Sequence, residues 1–188
     1  MERCRWKNLD KCHNYIQYHD NEWGVPSNDE LYLFEMIVLE AFHSGLSWMI
    51  ILNKREDFRE AFDNFDPMII KEYDEDKIDA LLNNNNIVRH EGKIRAAINN
   101  ASCFLKIQEE FGTFSDYIWS FTSYEILYSE NDELITTNKL SDEVAKDMKK
   151  RGFKYMGSIT TYSYLEAIGV MNNHRSFCFR YKANNYKI

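Results

Sequence analysis

From Leu31 the chain runs Leu31, Leu33, Phe34, Met36, Ile37, Val38, Leu39, Ala41, Phe42, apolar on nearly every side of a 3.6-residue period. A helix buried all round reads this way, and the pattern predicts one over about 29 to 44. The same periodicity predicts a second helix over about 47 to 63. A short one follows Asp66-Pro67, where Asp caps and Pro opens the first turn. Another, near about 74 to 84, begins in acidic residues that suit the positive end of a helix dipole. The next covers about 91 to 111 and ends at Gly112, with a short helix at about 114 to 121. Residues 122 to 140 are polar and irregular. Ser141, followed by Asp142 and Glu143, opens a helix that Gly152 closes, and a last one covers about 158 to 171. With two prolines, seven glycines and almost no strand signal, the fold class is all-α. Neither an internal repeat nor a linker divides residues 1 to 188, which read as one domain.

One letter breaks the apolar run. Glu40 sits inside VLEAFHSGLSW at 38 to 48, and a carboxylate taken out of water costs several kcal/mol, roughly, unless it is paired, hydrogen-bonded or protonated. The residues alone leave two readings of it: an internal ion pair with a distant Lys or Arg, or a charge kept for a ligand.

Composition narrows the class. A chain of 188 residues with 44% hydrophobic and 15% aromatic side chains can bury one sizeable core. No stretch approaches the run of about 20 apolar residues that spans a bilayer, and MERCRWKNLD is too polar for a secretory signal. A cytoplasmic protein is expected, with Cys4, Cys12, Cys103 and Cys178 reduced. The net charge of -7 runs against general nucleic-acid binding and leaves room only for a local basic patch. Two basic stretches exist, RHEGKIR at 89 to 95 and KDMKKRGFK at 146 to 154, and either also reads as a solvated helix face.

Near the C-terminus stands His174-Arg-Ser-Phe-Cys178, and near the N-terminus stand Cys4 and His19. Two thiolates and two imidazoles suit a closed tetrahedral Zn2+ site with no position left for water. Cys12 and His13 compete for the same roles on spacing alone.

In combination, several stretches resemble one family along essentially the whole chain: MERCRW at the start, YHDNEWGVP at 18 to 26, LFEMIVLEAFHSGLSW at 33 to 48, FDP at 65 to 67, IVRHEGKI at 87 to 94, KKRGFKYMG at 149 to 157, and Tyr162-Ser163 through His174 and Cys178. The family is the DNA-3-methyladenine glycosylase I family of the helix-hairpin-helix superfamily. The resemblance implies a monomeric repair enzyme that flips 3-methyladenine out of alkylated double-stranded DNA and cuts its N-glycosidic bond. It also implies a helix-hairpin-helix glycosylase fold, its hairpin-bearing lobe roughly at 29 to 150, whose terminal segments are stapled by one structural zinc on Cys4, His19, His174 and Cys178. Glu40 falls on the family's base-recognising carboxylate. Adenine presents an N6 amine where guanine presents the O6 acceptor, so a buried carboxylate accepts adenine and repels guanine. Methylation at N3 makes the base cationic, which an anion in a dry pocket favours. The resemblance sets Tyr15, Tyr18 and Trp48 beside the base, with Trp6 and Trp23 shaping the same cavity; the bland reading of the last two is core.

The hairpin at Ile87 to Lys93, with the Lys93 ammonium, is expected to meet DNA phosphates, and Leu46 of the GLSW turn to fill the space left by the extruded base. Three positions depart from the family pattern: Asn86, where relatives often carry glycine, Asn173, where an acidic residue often precedes the ligand His, and Phe42-His43 in place of a more polar pair. Two other classes compete: a non-catalytic nucleic-acid-binding module with a structural zinc, and a zinc hydrolase or deaminase. The deaminase signature H-x-E with P-C-x-x-C is absent.

Overall fold

The structure, a computed structural model, describes residues 1–129 and 134–182. Among these it contains ten α-helices and one pair of two-residue strands. Helix α2 (Glu30–His43) forms the axis of the core. Asp29 caps it by accepting from the Leu31 and Tyr32 amides, and every residue from Leu33 to Phe42 is buried. It is packed by α3 (Trp48–Asn53), α7 (Glu91–Phe111), α8 (Phe114–Ser120) and α10 (Ser158–Ala167). Each fully buried Leu, Ile, Met or Phe contributes roughly 1.5–3 kcal/mol, so the all-round burial expected from the pattern is what holds α2 at the centre. Phe42, one of the departures from the family pattern, spends its ring against Phe58 at 4.9 Å and Phe62 at 5.8 Å.

Several boundaries differ from the periodicity. The helix expected over 47 to 63 is two, α3 and α4 (Arg55–Ala61), broken at Lys54 with φ -104 and ψ 4. Neither Gly nor Pro marks the break; Lys54 Nζ reaches the Asn86 carbonyl at 2.6 Å, while Arg55 turns inward onto Glu35 and Glu22, both at 2.6 Å. Helices α5 (Pro67–Ile70) and α6 (Glu75–Asn83) lie where expected. Helix α9 (Lys139–Lys150) begins before Ser141, because Asn138 takes the cap and Ser141, at the third helical position, returns a hydrogen bond to the Asn138 amide. The last helix stops at Ala167. Gly169, with φ 76, follows it, and a side chain there would meet the Val25 backbone at 2.2 Å. The chain then forms β2 (Met171–Asn172), parallel to β1 (Leu127–Tyr128), inside stretches read as irregular and helical. Helix α1 (His13–Asn21) was not expected, since HNYIQYHDN carries little apolar periodicity. Part of the 122 to 140 stretch lies outside the described residues.

A second, smaller apolar cluster joins the two ends of the chain: Cys4, Tyr18, Trp23, Leu52 and Cys178, with Trp6, Tyr15, Trp48 and Phe179 against it.

Candidate functional site: a paired-end cluster beside an aromatic cavity

The N-terminal segment, α1 and the segment after β2 converge on four side chains. Cys4, His19, His174 and Cys178 are all buried, and their ligand atoms lie within 4.8 Å of one another. His174 Nδ1 stands 3.6 Å from Cys4 Sγ and 3.4 Å from Cys178 Sγ, and His19 Nε2 stands 3.6 Å from Cys178 Sγ. Metal–ligand bonds of about 2.0–2.3 Å at tetrahedral angles put ligand atoms roughly 3.3–3.8 Å apart, so the set fits a metal ion. The far ring nitrogens are fixed in a way that leaves the near ones unprotonated: His174 Nε2 donates to the Trp23 carbonyl at 2.9 Å, and His19 Nδ1 to Asp20 at 2.8 Å, while His19 Nε2 accepts from the Cys4 amide at 3.3 Å. Arg3 holds that Asp20 through contacts of 2.7 to 2.9 Å. Burial pushes His174 down to about 3 and also lowers His19, which keeps both imidazoles neutral. Cys12, a competitor on spacing, instead donates to Asn53 Oδ1 at 3.3 Å.

Against this cluster opens a cavity of about 240 Å³. It brings together Trp6, Tyr15, Tyr18, Trp23, Glu40 and Trp48, all six of the pocket residues expected from the sequence. Trp6 and Trp23 do double duty, for Trp6 lies edge-on to His19 at 4.9 Å and Trp23 edge-on to His174 at 4.5 Å. The Tyr18 and Trp48 rings sit 5.3 Å apart, tilted by 60°. The Trp48 indole N–H is buried without a partner among the described residues, a donor that a polar ligand can satisfy.

Glu40 is 3% exposed. No Lys or Arg bridges it among the described residues; its Oε2 accepts from His43 Nδ1 at 3.0 Å, and His43 in turn packs on Trp48 at 5.2 Å. Burial raises the Glu40 carboxyl, against the opposing pull of His43. The buried Glu with a cationic partner does exist on α2, at Glu35, which binds Arg55 at 2.6 Å and Arg59 at 3.0 Å.

Among the cavity residues not anticipated as such are Glu166, Asn173 and Arg175. Glu166 occupies an apolar helix much as Glu40 does, and that similarity was the available signal. Asn173 donates to Tyr162 Oη at 2.7 Å and to Glu166 Oε1 at 2.8 Å, and belongs to the cavity wall.

Leu46 is 38% exposed. It follows Gly45, whose φ of 82 makes the tight turn after α2, and lines a groove shared with Glu40, His43 and the start of α10. Lys93 is corrected. Its side chain is buried, and its ammonium donates to the carbonyls of Phe42 at 2.9 Å and Ser44 at 2.6 Å. It therefore caps the C-terminal end of α2, where unpaired carbonyls gather. The 84 to 90 connection carries no strain at Asn86, which does not take a positive φ, so glycine is not needed there.

The methyladenine glycosylase family model matches residues 6–181. The chain belongs to the methyladenine glycosylase family. It is 41% identical over 187 residues to DNA-3-methyladenine glycosylase 1 of Escherichia coli, covering 98% of this chain and 99% of that protein. Among solved structures of the family, a crystal structure of 3-methyladenine DNA glycosylase I superposes with a TM-score of 0.90 at 43% identity, covering 96% of this chain and all of that one. The Staphylococcus aureus 3-methyladenine DNA glycosylase I, solved to explain 3-methyladenine recognition, superposes with a TM-score of 0.86 at 37% identity over 89% of this chain and 91% of that one.

Proposed function

We propose that this glycosylase draws a 3-methyladenine nucleotide out of alkylated double-stranded DNA into the aromatic cavity and hydrolyses its N-glycosidic bond. The observation that carries the reading is Glu40: a buried carboxylate with no Lys or Arg partner among the described residues, lining a cavity walled by Tyr18 and Trp48. A cationic flat ring suits that wall by stacking and suits that carboxylate by charge. The cavity is smaller than the roughly 300–1,000 Å³ of drug-sized sites, a scale that fits one flipped base.

The chemistry follows from the leaving group. A 3-methylated adenine is already a cation, and it departs with the glycosidic electron pair as a neutral base while water supplies the hydroxyl at the sugar carbon. Little acid catalysis is required. Glu40 accepts from the N6 amine and stabilises the cationic ring, and the dry aromatic wall excludes other bases. Leu46, at the mouth, fills the gap in the stack. The 84 to 90 connection serves as the hairpin through its turn amides, without Lys93.

The paired-end cluster is assigned to one structural Zn2+, which supplies folding energy and leaves no open position for catalysis. Cys4, His19, His174 and Cys178 would hold it. Burial, with the neighbouring Cys178 adding to it, pushes the Cys4 thiol up, and a bound cation would reverse that by stabilising the thiolate. The whole is read as one domain acting in the cytoplasm; no helix among the described residues is long and apolar enough to cross a membrane.

The test is base release from methylated DNA, with 3-methyladenine resolved from 7-methylguanine by chromatography. Release of 3-methyladenine is expected. Binding to DNA without release of any base would leave the non-catalytic module in its place.

A further inference from the structure

The cavity holds a second carboxyl group, Glu166 of α10, facing the same space as Glu40 of α2. Its position is set from both sides. Its backbone carbonyl takes the Gly24 amide at 2.9 Å, and its Oε1 takes the Asn173 amide at 2.8 Å. Asn173 is itself anchored on Tyr162. A side chain held this firmly at a ligand cavity is part of what the ligand meets.

Two carboxyl groups lining one cavity disfavour each other's ionisation, and the one less favoured as an anion keeps its proton. The surroundings decide which. Glu40 receives an N–H from His43, which favours its anion. Glu166 has the neutral Asn173 amide, and burial, with the nearby Glu40 charge adding to it, pushes its carboxyl up to about 8. The titratable or charged groups lining the cavity with it are Tyr15, Tyr18, Glu40, His43, Tyr162 and Arg175.

Resting on the reading of the cavity as a base pocket, we propose that Glu166 is a specificity-determining residue: its neutral carboxyl donates a hydrogen bond to the ring nitrogen beside the amine of the flipped base, while Glu40 accepts from the amine itself. Acceptor beside donor is the complement of adenine, whose N6–H donor is flanked by the acceptors N1 and N7. It mismatches guanine, where O6 and N7 are both acceptors. An ionised Glu166 cannot donate, so base recognition is lost as pH rises through its titration.

The experiment uses the metal-loaded protein and measures single-turnover release of 3-methyladenine from methylated DNA between pH 6 and 9.5 (about, spanning the titration). Affinities for free 3-methyladenine, 3-methyl-7-deazaadenine and 3-methyl-1-deazaadenine are measured beside it. Release by the unsubstituted protein is expected to decline above about pH 8. Glu166→Gln keeps a donor that cannot ionise, so its release falls a few-fold but loses the alkaline decline. Glu166→Leu removes the donor, and release falls about tenfold, the scale of one lost hydrogen bond in a dry site. One deaza base binds the unsubstituted protein more weakly than 3-methyladenine, which identifies N1 or N7 as the acceptor, and Glu166→Leu erases that difference. The proposal is overturned if the unsubstituted protein releases 3-methyladenine and the Gln variant, folded by its melting curve, keeps the alkaline decline. It is equally overturned if neither deaza base is disfavoured. If the unsubstituted protein releases no 3-methyladenine at all, the base-pocket reading itself falls and takes this proposal with it.

Discussion

Two buried glutamates five residues apart on α2 have opposite meanings, and the difference lies in their neighbours. Glu35 meets the guanidinium groups of Arg55 and Arg59 and is a structural ion pair. Glu40 meets one imidazole and a cavity. Glu40→Gln keeps the shape and removes the charge. Losing a charge-assisted hydrogen bond of about 1.5–3 kcal/mol should slow single-turnover release of 3-methyladenine by roughly tenfold to a hundredfold. The melting temperature should hold or rise, because a carboxylate held against desolvation is removed. Normal release from a destabilised variant would show that Glu40 is structural after all. An acidic letter within an apolar period was enough to flag Glu40, but Glu35 on the same helix and Glu166 on α10 break the apolar pattern in the same way. Only the placement of Arg55, Asn173 and the cavity separates the three roles.

At the level of elements, the end of α2 is the joint on which the site turns. Its last carbonyls are taken by Lys93, reaching across from the first turn of α7, and just beyond them the Gly45 turn presents Leu46 to the groove. Lys93→Ala leaves two carbonyls short of a donor, at a cost of about 1–3 kcal/mol, and melting should fall by about 2–4 °C for each kcal/mol. The salt dependence of DNA binding should not change, since no phosphate contact is lost. A shallower salt slope with unaltered melting would restore the phosphate role expected from the motif. The motif set Lys93 at the start of α7, but sequence spacing carries no information about which way a four-carbon side chain points.

For the whole molecule, the paired-end cluster brings residues 4 and 178 together across nearly the length of the chain. The proposed metal, by closing so long a loop, would restrict the unfolded state strongly, and the two imidazoles are preoriented by Asp20, Arg3 and the Trp23 carbonyl. Metal analysis should find about one Zn2+ per chain, and chelation or Cys178→Ala should cause a cooperative loss of helix at lower temperature. A metal-free protein that melts unchanged would refute the assignment. Because Trp6 and Trp23 pack on the ligand imidazoles as well as on the cavity, the apo protein should also lose base binding.

The sequence by itself determined the helical class, the burial of α2 and most helix positions, which follow from local quantities: hydrophobic period and capping letters. The ligand set and the pocket walls were named by the resemblance to a family, since spacing alone left Cys12 and His13 in competition. The tertiary structure alone decided the break at Lys54, the α1 helix under the Cys/His cluster, the inward turn of Lys93 and the meeting of Glu166 with Glu40. Each depends on a partner more than 30 residues away along the chain or on a cavity shared between elements, and neither leaves a period in the local sequence. Through-space pairing and desolvation, absent from any local window, assign each buried charge its role.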